Sequence, residues 1–263
     1  LMPGVVHMRH THLEDHKFIS GQPETGAELA DDLERICTNF GAENIAACIV
    51  EPIAGSTGTL VPPVGYLQRL RELCDKYNIL LALDEVQTGY GRTGKNFAHQ
   101  LYDVKPDLMG CGKAAGGGIL PISFVAGRDD VIGTLTPGSE GSTFGGYPLA
   151  SVVGIYAIKA LVEENLADNA LVKGKQLMDG LNVIKNDFPD KIKQVRGKGL
   201  LTAFEMFDEK HLDGHTVSVE LLKKGVYAKE THHSTVRIAP ALTVETHHID
   251  VIAEQIRDVI KSL

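Results

Sequence analysis

The stretch NILLALDEVQTGYGRTG, residues 78–94, decides the fold of this 263-residue chain. It contains a continuous apolar run, residues 79–83, which is typical of a strand buried on both faces of a parallel sheet. Two acids, Asp84 and Glu85, follow the run directly. In open α/β sheets the functional site lies beyond the carboxyl ends of the strands. Both acids are therefore candidate site residues.

The segments around this stretch also show the patterns of strands and helices. Upstream, a second apolar run at residues 45–50 ends at Glu51, and amphipathic helical patterns precede each of the two runs. This alternation of strand and helix predicts a parallel α/β sheet. Downstream, two short strands between residues 107 and 127 are expected to flank a glycine-rich turn at 113–118. A long, mostly apolar helix is expected at about 148–164.

The last hundred residues show a different pattern. A helix to about residue 187 and a final amphipathic helix enclose four predicted strands, near residues 192–196, 200–207, 226–229 and 236–239. This order is typical of a small α+β domain. We therefore expect residues 1–165 to belong to a large α/β domain and residues 166–263 to form a smaller C-terminal domain.

Composition excludes several classes of function. The chain has 34 acidic and 26 basic residues, so its net charge of -8 gives no basic face for nucleic acid. Its apolar runs are far shorter than the ~20 residues that span a bilayer. Four scattered cysteines without a C-x-x-C pair favour buried free thiols and a reducing compartment, so we expect the cytoplasm, with the mitochondrial matrix as a second possibility. The opening LMPGVVHMRH resembles the middle of a protein, so we expect a longer parent chain.

Two motifs imitate other sites. GYGRTGKN, residues 89–96, nearly matches a phosphate-binding loop, but Asn96 replaces the hydroxyl residue that would hold Mg²⁺. The histidines near the start of the chain, and the pairs at 232–233 and 247–248, match no recognised zinc-ligand spacing. We therefore predict neither a nucleotide site nor a metal site.

Lys113, in GKAAGGGILP, is the strongest candidate for chemistry because of the residues that accompany it. A desolvated lysine can form a Schiff base with an aldehyde, and a carboxylate such as Asp84 can keep a pyridine ring protonated. Hydroxyls such as those of Ser142 and Thr143 can receive a phosphate. A guanidinium such as that of Arg237 can bind a carboxylate with two parallel hydrogen bonds. A pyridoxal phosphate site needs these residue types.

Six ordered motifs resemble those of the class-III aminotransferases, which have fold type I. They are EPIAGSTG from residue 51, LALDEVQTGYGRTG ending at residue 94, CGKAAGGGILPIS from 111, GSEGSTFGGYPLA from 138, VRGKGLL from 195 and VRIAPAL from 236. The resemblance covers nearly the whole chain. It implies part of a three-layer α/β/α large domain, followed by a small α+β domain.

The resemblance also implies roles for the cofactor-binding residues. Asp84 resembles the residue that pairs with the pyridine nitrogen of pyridoxal 5'-phosphate, and Val86 resembles the one that packs on the ring face. Gln87 resembles the side chain near the ring hydroxyl. Lys113 matches the Schiff-base lysine, which in this family also carries the proton between substrate and cofactor.

Further positions correspond to the phosphate and substrate sites. Ser142 and Thr143 correspond to the phosphate site, where Thr143 resembles a residue that reaches the phosphate of a neighbouring subunit; a homodimer with shared sites is implied. Arg237 resembles the arginine that binds the substrate carboxylate, and Glu51 is assigned to the substrate side. Ornithine aminotransferases usually carry a second glutamate that masks this arginine. Here that position is Ser56, which argues against strict ornithine specificity.

The implied activity is ping-pong transfer of an amino group from an ω-amino acid or a diamine such as ornithine to a 2-oxo acid. Two alternatives stay open. One is a non-transaminating pyridoxal enzyme such as an aminomutase or a decarboxylase. The other is a catalytically silent fragment or partner subunit, because the Gly-Ser phosphate loop and the ring-stacking aromatic residue of the family are not recognisable in this sequence.

Overall fold

The computed structural model describes residues 3–13, 16–207 and 212–263. Two four-stranded sheets and one two-stranded ribbon account for the strands of these ranges. The ribbon pairs β1 (Phe18–Ile19) with β2 (Gln22–Pro23) in antiparallel fashion. None of the helices in these ranges is long and apolar enough to cross a membrane.

The first four-stranded sheet has the order β3-β4-β5-β6. Its strands are β3 (Ala47–Val50), β4 (Leu80–Asp84), β5 (Leu108–Cys111) and β6 (Phe124–Gly127). Strands β3, β4 and β5 are parallel, as predicted, whereas β6, for which no direction was predicted, runs antiparallel to β5. The connection, residues 112–123, holds one 3-10 turn and no α-helix. Without a helix to cross the sheet, the chain returns alongside β5.

Helices α1 (Asp32–Phe40) and α2 (Tyr66–Tyr77) cover one face of this sheet. Their apolar side chains form a buried cluster with Leu81 and Leu83 of β4. The other face is less covered, since Ile49 of β3 is 74% exposed. The prediction that β3 is buried on both faces is therefore wrong for this chain, in which β3 is an edge strand.

Helix α4 (Pro148–Glu163) follows the short helix α3 (Asp129–Ile132). Although α4 is mostly apolar, it buries only Ala150, Gly154 and Leu161. A Cβ added at Gly154 would lie 3.3 Å from the carbonyl oxygen of Ala115. The helix thus packs closely on the 3-10 turn that begins at Lys113.

The second sheet, β7-β8-β10-β9, is antiparallel throughout. Its strands are β7 (Ile192–Lys198), β8 (Leu201–Met206), β9 (Lys229–Thr231) and β10 (Thr235–Ile238). Helices α5 (Leu166–Asp187), α6 (Gly214–Lys223) and α7 (Thr246–Ser262) complete this region. Side chains from all three helices pack with those of β7, β8 and β10 in one buried cluster.

Strand β9 lies further along the chain than residues 226–229, where a strand was predicted. The N–H of Gly225 bonds to the carbonyl of Leu222, and the N–H of Val226 to that of Leu221. These hydrogen bonds form the turn that ends α6. The chain therefore begins to pair with β10 only at Lys229. The apolar pattern of residues 226–228 reflects packing, because Val226 and Ala228 are buried in the cluster.

Candidate active site

A cleft of about 290 Å³ lies between the segment that follows β4 and the strands β9 and β10. Its lining combines residues from both sheet regions: Ser56, Val86, Gln87, Gly89, Tyr90, Arg92, Lys113, Ala114, Lys229, Thr231, Arg237 and Leu242. Among the residues that the structure describes, no group of three or more histidine, cysteine, aspartate or glutamate side chains could hold a metal ion.

Lys113 lies two residues after β5, in a backbone conformation that non-glycine residues rarely adopt. Its φ is 44°, within the left-handed region. Just before it, Gly112 packs on Val86, since an added Cβ would lie 3.4 Å from a Val86 methyl group. A strained lysine at the edge of a cleft favours a functional role.

The acids after β4 have different surroundings. Asp84 is half-buried, and its Oδ1 accepts a hydrogen bond of 3.0 Å from the N–H of Val86. The carboxylate of Glu85 is fully buried and accepts from the hydroxyl of Thr88 and from the N–H groups of Ala98 and His99. Glu85 therefore holds the following loop, whereas Asp84 does not line the cleft itself but binds the N–H of Val86, a residue that does.

The loop after β3 forms a second wall. Glu51 does not line the cleft; its Oε2 accepts a bond of 3.0 Å from the N–H of Gly55 and so shapes the loop. Gly55 packs directly on the Gln87 side chain, where a Cβ would overlap the amide group. From β9, the Thr231 hydroxyl donates to the carbonyl of Ser56 over 2.8 Å.

Two arginines lie near each other at this wall. Arg237 of β10 donates from Nη1 to the carbonyl of Gly55 at 3.3 Å. Arg92 donates from Nη1 to the carbonyls of Leu200 and Pro240. Burial, together with the positive charge of Arg237, lowers the pKa of Arg92. Neither guanidinium has a carboxylate within ion-pair distance among the described residues, so both keep their positive charge available to an anion.

Arg196 of β7 fixes the same loop from beneath. It is 2% exposed and donates from Nε to the carbonyl of Gly58 at 2.8 Å. Its guanidinium also forms an ion pair with Glu205 and bonds to the Thr235 hydroxyl. Burial alone would raise the pKa of Glu205, but the charge of Arg196 outweighs it and the pKa is lowered.

The structure brings Lys113, Val86, Gln87 and Arg237 to one cleft, although Lys113 and Arg237 lie 124 positions apart in the sequence. The side chains of Ser142 and Thr143 are exposed and lie outside this cleft, so their role at a phosphate stays a prediction.

Sequence reasoning missed several lining residues, among them Arg92, Lys229 and Thr231. Arg92 lies inside the motif that nearly matches a phosphate-binding loop, and the motif gave no reason to predict that its side chain lines the cleft. Lys229 and Thr231 lie on β9, whose start was predicted three residues early. An i, i+2 pattern placed opposite Arg237 could have indicated both, had the register of β9 and β10 been known.

The model of the aminotransferase class-III family matches residues 2–260. The chain belongs to the class-III aminotransferases. It is 42% identical over 234 residues to the mitochondrial ornithine aminotransferase of Arabidopsis thaliana, which covers 88% of this chain and 49% of the relative. This class-III chain thus spans about half the length of the curated relatives it matches.

Solved structures confirm the fold. Ornithine aminotransferase from Toxoplasma gondii superposes with a TM-score of 0.84 at 39% identity, over 89% of this chain and 54% of that one. An (S)-enantioselective omega-transaminase from Thermomicrobium roseum gives 0.83 at 32% identity, over 90% and 55%. The architecture is part of the predicted fold type I.

Class-III aminotransferases depend on pyridoxal phosphate. The donor set of this class-III cleft fits that cofactor. A lysine, a valine and a glutamine line it, and the Asp84 carboxylate at the end of β4 binds the N–H of that valine. These are the groups that an aldehyde, a ring face, a ring hydroxyl and a pyridine nitrogen require.

Proposed function

We propose that this chain supplies the lysine-bearing part of a pyridoxal-phosphate-dependent aminotransferase. The reaction is ping-pong transfer of an amino group from an ω-amino acid or a diamine such as ornithine to a 2-oxo acid. One observation carries the proposal: Lys113 and Arg237, from different sheet regions, line the same cleft together with Val86 and Gln87.

Lys113 would hold the cofactor covalently through Nζ. The same amine would take the proton from the α-carbon of the substrate and deliver it to the cofactor. Asp84 would lie beside the pyridine nitrogen, with its carboxylate oriented by the N–H of Val86. When bound, pyridoxal phosphate supplies the electron sink for the carbanion.

Arg237 would bind a substrate carboxylate. Among the described residues, its Nη1 donates only to a backbone carbonyl of the loop, at 3.3 Å, and the neighbouring loop position that lines the cleft is Ser56. A serine hydroxyl carries no charge and leaves the guanidinium open. This supports a substrate range wider than ornithine alone.

The larger assembly is also part of the proposal. Residues 1–165 would belong to the cofactor-binding domain and residues 166–263 to the small domain. A homodimer would use the exposed side chains of Ser142 and Thr143 at the phosphate of the neighbouring site. We place the protein in the cytoplasm or in the mitochondrial matrix; the name of its Arabidopsis relative describes that enzyme as mitochondrial.

The test is an absorbance spectrum of the chain with pyridoxal phosphate, followed by borohydride reduction and intact-mass analysis. We expect a visible absorbance band and one covalent adduct per chain. The variant Lys113→Ala should lose both, because Lys113 is the lysine proposed to hold the cofactor. The second lysine of the lining, Lys229, lies opposite Arg237 on β9 and should not replace it.

Lys95→Ala serves as the matched control, since Lys95 is exposed and lies outside the cleft. This variant should keep both the absorbance band and the covalent adduct. An adduct of the same size in Lys113→Ala would contradict the assignment. If neither the chain nor its variants bind the cofactor, the chain is a silent subunit that completes its site only with another chain. Product analysis separates transamination from decarboxylation or a mutase reaction.

A further inference from the structure

The cleft has an uncompensated positive charge. Four cationic side chains line it, Lys113, Arg92, Lys229 and Arg237, while its lining contains no aspartate or glutamate. Within residues 3–13, 16–207 and 212–263, no carboxylate lies within ion-pair distance of any of the four. Like charges in one concave site raise the local positive potential and attract anions. The charge therefore exceeds what a single carboxylate needs.

The pairing of β9 with β10 sets where Lys229 lies. In the antiparallel register Lys229 is directly opposite Arg237. Side chains at opposite positions leave the same face of a sheet, with their Cβ atoms about 5 Å apart. Lys229 and Arg237 therefore reach the cleft side by side.

The alternation along β9 keeps acids away from this pair. Glu230 lies between the two lining residues Lys229 and Thr231 and points to the opposite face, where its carboxylate accepts from the ring of His215 at 2.9 Å. Thr231 returns to the cleft and holds the carbonyl of Ser56. The strand thus presents a lysine and a hydroxyl to the site and turns its only carboxylate away.

We propose that Lys229 is a specificity-determining residue that forms, with Arg237, a two-cation subsite for a carboxylate at the end of the substrate away from the reacting group. Arg237 presents a planar fork that binds both carboxylate oxygens, whereas Lys229 adds a mobile point charge beside it. The subsite favours dicarboxylates and disfavours ligands that place an ammonium group there without a carboxylate. This inference rests on the proposed function, but its test does not need the cofactor.

The experiment measures binding of glutarate, a five-carbon dicarboxylate, to the full chain by isothermal titration calorimetry. Lys229→Gln should weaken binding by about tenfold, the loss typical of one charge-assisted hydrogen bond. Lys229→Arg should restore most of it. Lys229→Glu should abolish glutarate binding and raise the affinity for 1,5-diaminopentane, because it places an acid beside Arg237.

Lys95→Gln, which removes one positive charge outside the cleft, is the control and should bind glutarate like the parent chain. Equal binding by Lys229→Gln and the parent would overturn the inference, and so would equal losses in Lys229→Gln and Lys95→Gln. The two proposals fail separately. If the Lys113 adduct forms but Lys229→Gln binds glutarate like the parent chain, only the subsite is contradicted. If the adduct is missing but glutarate binding depends on Lys229, only the transfer chemistry is contradicted.

Discussion

The two four-stranded sheets differ in how completely this chain covers them. Helices α5, α6 and α7 enclose the sheet β7-β8-β10-β9, and their contacts form the largest buried cluster of the described residues. The sheet β3-β4-β5-β6 has α1 and α2 on one face, while Ile49 and Val125 stay 74% and 61% exposed. The burial of a strand therefore depends on the elements that pack against it as well as on its own composition.

Helix α4 shows the same contrast most clearly. It is the most apolar of the long helices, yet Ile155 and Tyr156 are 53% and 67% exposed. Helix α7, with a more polar sequence, buries Ile256 and Ile260 almost completely. Contiguous exposed apolar surface usually marks an interaction site. The uncovered face of α4 is consistent with a chain that spans about half the length of its relatives.

The largest effect is expected from a matched pair of substitutions. Ile256→Ala should lower the free energy of unfolding by about 2 to 5 kcal/mol, because it removes buried methyl groups and leaves a cavity. Ile155→Ala should change it by less than about 0.5 kcal/mol, because the side chain already meets solvent. Urea unfolding followed by circular dichroism measures both.

Equal losses in the two variants would break the comparison, since they would mean that the α4 face is buried in solution. Repeating the unfolding at several protein concentrations then distinguishes a folded monomer from self-association, because only the latter makes the midpoint depend on concentration.

Each region also contains a carboxylate with little exposure, the buried Asp107 and the half-buried Glu205, which allows a comparison by pH. Burial alone would raise the pKa of Asp107, but the N–H of Leu81 and the guanidinium groups of Arg71 and Arg128 outweigh it, so the pKa is lowered. Glu205 is likewise lowered, through Arg196. A lowered folded-state pKa means that the stabilisation is fully present above the unfolded pKa and is lost as pH falls through the folded one.

We therefore expect the urea midpoint to be constant near neutral pH and to fall below about pH 4, the ordinary range of carboxyl groups. Asp107→Asn and Glu205→Gln should each lower stability at pH 7 and flatten the acid limb of the curve. Hydrogen exchange would show which sheet opens first in each variant. An unchanged acid limb in both variants would assign the pH dependence to other carboxyl groups.

The sequence was most informative where structure depends on neighbouring residues. The apolar run before Asp84 predicted β4, and the glycines around Lys113 predicted the turn between β5 and β6, because both signals are local. The direction of β6, the exposure of Ile49 and the start of β9 depend on contacts distant in the chain. The direction of β6 was not predicted, and the predictions for the burial of β3 and for the start of β9 were wrong.

The candidate site divides in the same way. Lys113, Val86, Gln87 and Arg237 were predicted from motifs, and the structure places them in one cleft. Lys229 could not be predicted, because only the register of β9 against β10 sets it beside Arg237. A one-residue slip would turn Lys229 away and bring Glu230 to the cleft.

The smallest expected effect concerns the junction of the two regions, where the loop after β3 meets the cleft. Gly55→Ala would place a methyl group where the Gln87 amide now lies. Because that amide is the end of a flexible side chain, Gln87 can move aside and folding should change little. Its polar group would leave the position proposed for the ring hydroxyl. Losing one hydrogen bond costs about 1 kcal/mol, so cofactor affinity should fall roughly fivefold.

Gly110→Ala is the appropriate control, since a Cβ at Gly110 meets nothing within 4 Å. Spectroscopic titration with pyridoxal phosphate gives both affinities, and the urea midpoint reports on folding. If Gly55→Ala instead unfolds the chain, the loop is held too tightly by Arg196 and Thr231 for Gln87 to yield, because those side chains fix the carbonyls of Gly58 and Ser56. The junction would then be as rigid as the C-terminal core, and the contrast between the regions would be confined to β3, β6 and α4.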